Sequence, residues 1–475
     1  MIQLGASKER DISRLWDSRG KRNNMANLKI RLAFAVLAFG FVCPAAYARL
    51  SDCRWKDDAW NWVMTSVYSP KTRLIYDYRV GDSADAHVKC LPTPEDISRQ
   101  FPSPVSWGTG MEDSVLNGGP FLLAALRRNA ATGDEESARV ARLIFDGLCR
   151  CAEVSHVPGF VARSISPFDG RSHYTNSSRD QYTLFVYSML RYRDWKGATA
   201  AEKGRLGRIL VDIARYAERC AVPANNYSLL RSDGGPAKAC EMWTATPCAD
   251  VSPAGCVSRY GTVATHEALR LPALYAAAYA VSGDGYWRSK ELEYAEQGIE
   301  MSFGSLEKLM NGCFLYQMQI SIRLLWEHET NPVLKGRYLA LLNKVADSTD
   351  LFSQRPKSLV QKLKGDFTAS ASDWRKCRMR YMTSPAAVDG GSPHASDVRY
   401  LQACQPEPYM NVYLALRETA ELLLLPQLCP GRKIPEDVLA FFDGVFSSVD
   451  YSNLHTTPGP VEALLAYWQM KSPLD

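Results

Sequence analysis

Behind its amino-terminal region the chain has no apolar run long enough to cross a bilayer, so nothing in its body reads as a membrane helix. It has no Pro/Ser/Gly tract and no block of like charge, which removes the usual marks of a linker between two domains. No repeat period is visible. The short cysteine knuckle of structural zinc sites is missing as well: the seven-residue gaps in Cys240, Cys248 and Cys256 fit it poorly, and we expect no metal and no cofactor. Nor does the body carry an excess of charge. Removing 8 basic and 3 acidic residues of the amino-terminal 48 from the chain's 56 and 51 leaves 48 of each. A general polyanion-binding surface is therefore not expected, and nucleic acid is excluded as a partner on that ground.

What the amino terminus does have is the pattern of an export signal. Lys8, Arg10, Arg14, Arg19, Lys21, Arg22, Lys29 and Arg31 precede an uncharged apolar run from Leu32 to Val42. Pro44-Ala45-Ala46-Tyr47-Ala48 then places small residues where a signal peptidase reads, so residues 1–48 are expected to be cleaved and the mature chain to begin at Arg49. Met25 would serve as an alternative start. Phe41 and Val42 before Cys43 do not suit a lipidation site. The expected location is secreted or periplasmic, with no membrane attachment after cleavage.

Twelve cysteines follow the leader: Cys53, Cys90, Cys149, Cys151, Cys220, Cys240, Cys248, Cys256, Cys313, Cys377, Cys404 and Cys429. In an oxidising compartment that even number predicts several disulfides. Cys149 and Cys151 fall on different faces of one predicted helix and are not expected to pair.

Apolar spacing and Gly or Pro breaks predict twelve helices, over 55–68, 113–131, 135–153, 180–195, 200–220, 264–281, 284–305, 314–329, 332–351, 408–425, 434–448 and 459–471. Thr132-Gly133-Asp134, Ser282-Gly283-Asp284 and Thr330-Asn331-Pro332 are tight turns with a stop and a cap. Long connections over 69–112, 154–179, 221–263 and 352–407 alternate with them. Such alternation predicts an all-α domain over 49–475. Six hairpins would close as an (α/α)6 toroid, even-numbered helices inside and long loops forming a cleft; an irregular helical solenoid is the alternative.

Three loop stretches concentrate polar and aromatic residues. Trp107, Glu112 and Asp113 precede the second helix, where Asp113 would serve either as a cap or in a substrate rim. Arg163, Arg171, His173, Tyr174, Arg179, Asp180, Gln181 and Tyr182 crowd the entry to the fourth helix, with capping again open to Asp180. His266 and Glu267 enter the sixth. Tyr316 and Gln317, Tyr409 and Asn411, and His455 with Glu462 lie on other inner helices and would reach the same cleft.

With its twelve-helix layout and the segments Gly110-Met111-Glu112-Asp113 and Ser178-Arg179-Asp180-Gln181, the chain resembles the six-hairpin glycosidase superfamily, including its unsaturated uronyl hydrolases and glucuronidases. The resemblance implies cleavage of a glycosidic bond with an inner-helix aspartate as acid or base. The Trp-Ala-Arg-Gly-type segment of the uronyl hydrolases is not present. Glycoside cleavage needs one carboxyl to protonate the leaving oxygen and a second to activate water or attack the sugar. Asp180 with Asp113 or Glu112 is the expected pair, with His266 near it. Arg163, Arg171 and Arg179 would hold a uronate carboxylate; Trp107, Tyr174 and Tyr182 would stack on sugar faces; Gln181, Glu267, Tyr316 and His173 would complete the carbohydrate site. Two alternatives stay open: a polysaccharide lyase using His173, Tyr174 and Arg179, and a non-catalytic carbohydrate-binding envelope protein.

Overall fold

The computed structural model describes residues 53–80, 88–225, 227–243, 268–306, 312–349, 353–376, 380–383, 399–402 and 405–472. The proposed leader, Asn226 of a glycosylation sequon, His266, Glu267, Cys248, Cys256, Cys377 and Cys404 lie outside them. Residues Cys53–Asp475 make one compact unit.

The unit is essentially all helix. In chain order the described helices are α1 (Trp55–Trp62), α2 (Pro94–Ser98), α3 (Ser114–Thr132), α4 (Glu135–Glu153), α5 (Arg179–Asp194), α6 (Ala200–Cys220) and α7 (Arg270–Ser282). They continue as α8 (Gly285–Ser305), α9 (Gly312–His328), α10 (Pro332–Asp347), α11 (Gln354–Leu363), α12 (Glu407–Gln427), α13 (Glu436–Ser447) and α14 (Pro458–Lys471). Three antiparallel two-stranded ribbons complete the described elements: β1 (Tyr68–Ser69) with β2 (Leu74–Ile75), β3 (Ser228–Leu230) with β4 (Pro236–Glu241), and β5 (Arg380–Thr383) with β6 (Arg399–Gln402).

Local chemistry sets the helix ends. Gly133 and Gly283 stop α3 and α7 in the left-handed region, with φ of 72° and 69°. Asp134 and Asp284 then accept from the amides of Glu136 and Tyr286 and start the next helix. Thr199 and Glu202 cap one another's backbone at the head of α6.

Two burial patterns divide the helices. α4 and α6 have one buried stripe and one wet face, as Val140, Ile144, Phe145 and Leu148 illustrate. α14 is buried continuously from Pro458 to Gln469, α7 from Arg270 to Ala278 and α5 from Gln181 to Leu190. Helices buried on all sides must have neighbours on all sides. α3 packs on α5, α5 on α7, α7 on α9, α9 on α12, α12 on α14, and α14 on α3 again. The one-sided helices lie against these: α4 on α3, α6 and α8 on α7, α10 on α9, α11 and α13 on α12, α1 on α14.

Two left-handed loop glycines differ in their surroundings, and only Gly159 makes a close approach between layers. At Gly159, with φ of 84°, a Cβ would meet the Asp212 carbonyl of α6; at Gly133 it would meet open space. Gly159→Ala should therefore cost roughly 2–3 kcal/mol in urea unfolding, from overpacking added to left-handed strain. Gly133→Ala isolates the strain and should cost only about 1–2 kcal/mol. Equal costs would show that the loop yields.

The disulfide expectation fails. No two described cysteines are joined, and Cys90, Cys149, Cys151, Cys220, Cys313 and Cys429 are free thiols. Cys149 indeed does not pair with Cys151. Cys149 and Cys151 are both buried along α4, and burial pushes both thiols far above their usual range. An even number of cysteines in the sequence did not place any described two within bonding reach.

Candidate active site

Asp113 and Asp180 occupy positions where helices begin, yet neither caps one. Asp113 is the N-cap residue of α3 and makes no side-chain cap hydrogen bond. The first-turn amides are served from outside, since Val115 N donates to the Arg163 carbonyl at 3.2 Å and Leu116 N to Gln181 Oε1 at 3.0 Å, while Asp77 accepts from Glu112 N at 2.6 Å, Asp113 N at 2.9 Å and Asn117 Nδ2 at 3.0 Å. Relieved of that duty, Asp113 turns its Oδ1 to Arg163 Nη2 at 2.9 Å and Gln181 Nε2 at 2.8 Å. Asp180 sits in the first turn of α5, and its Oδ1 accepts from Arg270 Nη1 at 2.9 Å.

These contacts belong to one continuous polar belt. Arg270 Nη2 donates to Gln317 Oε1 at 2.5 Å, and Gln317 Nε2 donates to Cys313 Sγ at 3.2 Å. Arg417 Nη2 reaches the same sulfur at 2.8 Å from α12, while its Nη1 donates to Tyr413 Oη at 2.5 Å. Arg417 Nε lies between Glu421 Oε1 at 3.0 Å and Glu462 Oε1 of α14 at 3.5 Å. Asp113 at the head of α3 and the helices α5, α7, α9, α12 and α14 thus each contribute a polar group to this belt, bonded from Asp180 to Glu462 and joined to Asp113 by mutual electrostatic influence. Polar atoms so deep in apolar helices cost several kcal/mol each unless partnered, so a belt touching all six is costly unless it has a use.

Electrostatics separates the two aspartates. Burial is the largest influence on both carboxyls. For Asp113 burial prevails and lifts its affinity for a proton, against the pull of Arg163 and Arg417 and with the help of neighbouring Asp180. For Asp180 three guanidinium groups, Arg270, Arg179 and Arg163, outweigh burial and hold the carboxyl below its usual range. Both side chains stay reachable, 25 % and 34 % exposed, whereas the arginines gripping them are 5 % and 1 % exposed. Glu112, beside Asp113, is pushed up to about 8, chiefly by burial and by Asp113. Its Oε2 accepts from the Gly108 amide and closes the 106–112 loop, leaving it a less open group than Asp113.

Of the other expected site residues, Arg163, Arg179 and Gln181 join the aspartates. Tyr316 is buried within the electrostatic reach of Glu462, Glu421 and Arg417. Trp107 is half-buried in the loop that Glu112 closes. Arg171, His173 and Tyr174 share no hydrogen bond or ion pair with Asp113 or Asp180. Arg171 has an 86 % exposed side chain 3.7 Å from Asp169. His173 bonds the Arg171 carbonyl and lies beside Phe160. Tyr174 packs with Tyr76, Leu91, Ile97 and Met111, and its hydroxyl donates to the Phe101 carbonyl at 2.5 Å. The Tyr182 hydroxyl likewise takes the Val161 amide at 3.1 Å. Glu407, the first residue of α12, is exposed beside Lys362.

Asp77, Arg270, Cys313, Arg417 and Glu421 were not singled out from the sequence. Arg417 and Glu421 did leave a signal, an i,i+4 ion pair inside the leucine-rich run of α12. Among the described residues no group of three or more His, Cys, Asp or Glu is placed to hold a metal ion, and no helix is long and apolar enough to cross a membrane. No protein-family model matches the chain, and no curated protein matches it.

Proposed function

We propose that the chain is an exported glycoside hydrolase built on an (α/α)6 toroid of the six-hairpin glycosidase kind. Asp113 acts as general acid and Asp180 as general base or nucleophile. The observation that carries this reading is the pair of partly exposed carboxyls at the heads of neighbouring helices whose surroundings push their proton affinities in opposite directions. One carboxyl then keeps a proton while the other stays charged, which is the division of labour that glycosidic cleavage needs. The cyclic packing order of six all-round-buried helices, with their partners outside, supports the toroid.

Arg179, one of the cations that lower the Asp180 carboxyl, stands at the entry to α5, and a guanidinium there suits the carboxylate of an acidic, uronate-containing oligo- or polysaccharide. A lyase on the same toroid is less well supported, because the Tyr174 hydroxyl is engaged by the Phe101 carbonyl within the core. The test is a screen of uronate-containing oligosaccharides read by new reducing ends and by ultraviolet absorbance. Reducing ends without absorbance are expected. Absorbance from a new double bond would replace the hydrolase by a lyase, and no turnover across the panel would leave a binding protein.

A further inference from the structure

Arg270 opens α7 and is 1 % exposed, so its guanidinium meets fixed partners in place of water. Nη1 donates to Asp180 Oδ1 at 2.9 Å and to Thr183 Oγ1 at 3.0 Å, two acceptors on one turn of α5. Nη2 is held from a third helix by Gln317 Oε1 at 2.5 Å. Three acceptors on two helices thus fix a planar group that cannot give up its proton. Surface ion pairs lack such constraint, because both side chains swing freely. Asp180 Oδ2, by contrast, takes no hydrogen bond from a described residue.

We infer that Arg270 is the positioning residue of this site, locking the Asp180 carboxylate through Oδ1 so that Oδ2 alone faces the cleft. The inference rests on the assignment of Asp180 as the base. The groups facing Asp180 are Arg179 on its own helix, Arg163 from the preceding loop, Asp113 at the head of α3, Cys313 at the head of α9, and Arg270. Arg163 is already committed to Asp113 and to the Glu112 carbonyl. Arg270 is thus the guanidinium that both hydrogen-bonds Asp180 and is the largest charge influence holding it ionised.

The test titrates the carboxyl carbon of Asp180 by NMR in the full chain labelled at aspartate, with Asp180→Asn to assign the signal. Arg270→Gln should raise the midpoint by about one pH unit or more, a tenfold change in proton affinity. Arg270→Lys keeps the charge but serves only part of the three acceptors, and should fall between. Gln317→Leu removes the anchor without touching the ion pair and should give a smaller rise; it also decides the matter if Arg270→Gln does not fold. An unmoved midpoint in folded Arg270→Gln, or in both Arg270→Lys and Gln317→Leu, overturns the inference. On a cleaved sugar the acid limb of kcat/KM should move with the midpoint. A moved midpoint with no sugar cleaved keeps Arg270 in its role and removes the hydrolase reading; turnover with an unmoved midpoint does the reverse.

Discussion

Asp180→Asn should lower turnover of the cleaved sugar by about 10²- to 10⁴-fold, the usual range for a lost general base and more for a lost nucleophile. The expectation depends on charge and not on shape, because asparagine keeps an oxygen in the place of Oδ1. From the sequence alone Asp180 could have been a cap, and its loss would then cost only about 1 kcal/mol of stability and little activity. The structure removes that alternative: the carboxylate goes to Arg270, and the buried arginine loses the charge of this partner when Asp180 is neutralised. The melting point should therefore fall. A loss of about 1–3 kcal/mol is expected, below the usual cost of a broken buried pair since the amide oxygen still accepts from Nη1. Rates must accordingly be compared well below the variant's melting point, on protein with native helix content. Asp113→Asn should fall with it, but should be rescued by substrates whose leaving group needs no proton. A folded Asp180→Asn enzyme with near wild-type turnover would move the carboxyl pair elsewhere.

The difference between what was legible in the sequence and what was not follows the range of the interactions. Helix α4 was read as 135–153 and runs Glu135–Glu153, because its Asp134 cap and its apolar stripe are both encoded locally. The first helix ends sooner than its apolar spacing suggests, since Val63–Val67 widens into a π turn before β1. α2 and α11 were missed inside long connections; α11 buries only Pro356, so it leaves a weak core signal. The aspartates were legible because polar residues at inner-helix entries stand out locally. Their partners were not. Asp77 acts on amides 35 and 36 residues away, and Arg270 on a carboxylate 90 residues away, separations that only the helix packing closes. The same reasoning explains Arg171, His173 and Tyr174. They are near Asp180 in sequence, but a loop running outside the helix entry carries them to other partners.

Arg417→Leu should be among the most destabilising substitutions in the chain, and its cost should grow with pH. Among the described residues Arg417 is the one cation paired with both Glu421 and Glu462, each buried; both carboxyls are within ion-pair distance of the same Nε, and each leaves its Oε2 unpartnered. Burial is the first cause of a raised proton affinity in both, lifting Glu462 to about 7, and Glu462 raises Glu421 further. A carboxyl with a folded pKa above its unfolded value holds more protons folded than unfolded. The stability it contributes is complete below the unfolded value near 4.5 and is lost as pH rises through the folded one. Wild-type stability should consequently decline between about pH 5 and pH 8, and Glu462→Gln should flatten that decline. In Arg417→Leu, pH 5 lets both carboxyls take up protons and the cost stays small. At pH 8 the choice is between burying unpaired charge and holding protons against the bulk, so the loss should approach about 3–5 kcal/mol. Urea unfolding of wild type, Arg417→Leu and Arg417→Leu/Glu462→Gln at both pH values decides the matter. The double variant should regain stability at pH 8 and little at pH 5. A cost for Arg417→Leu that does not vary with pH would mean that packing of the guanidinium, and not its charge, holds α9, α12 and α14 together.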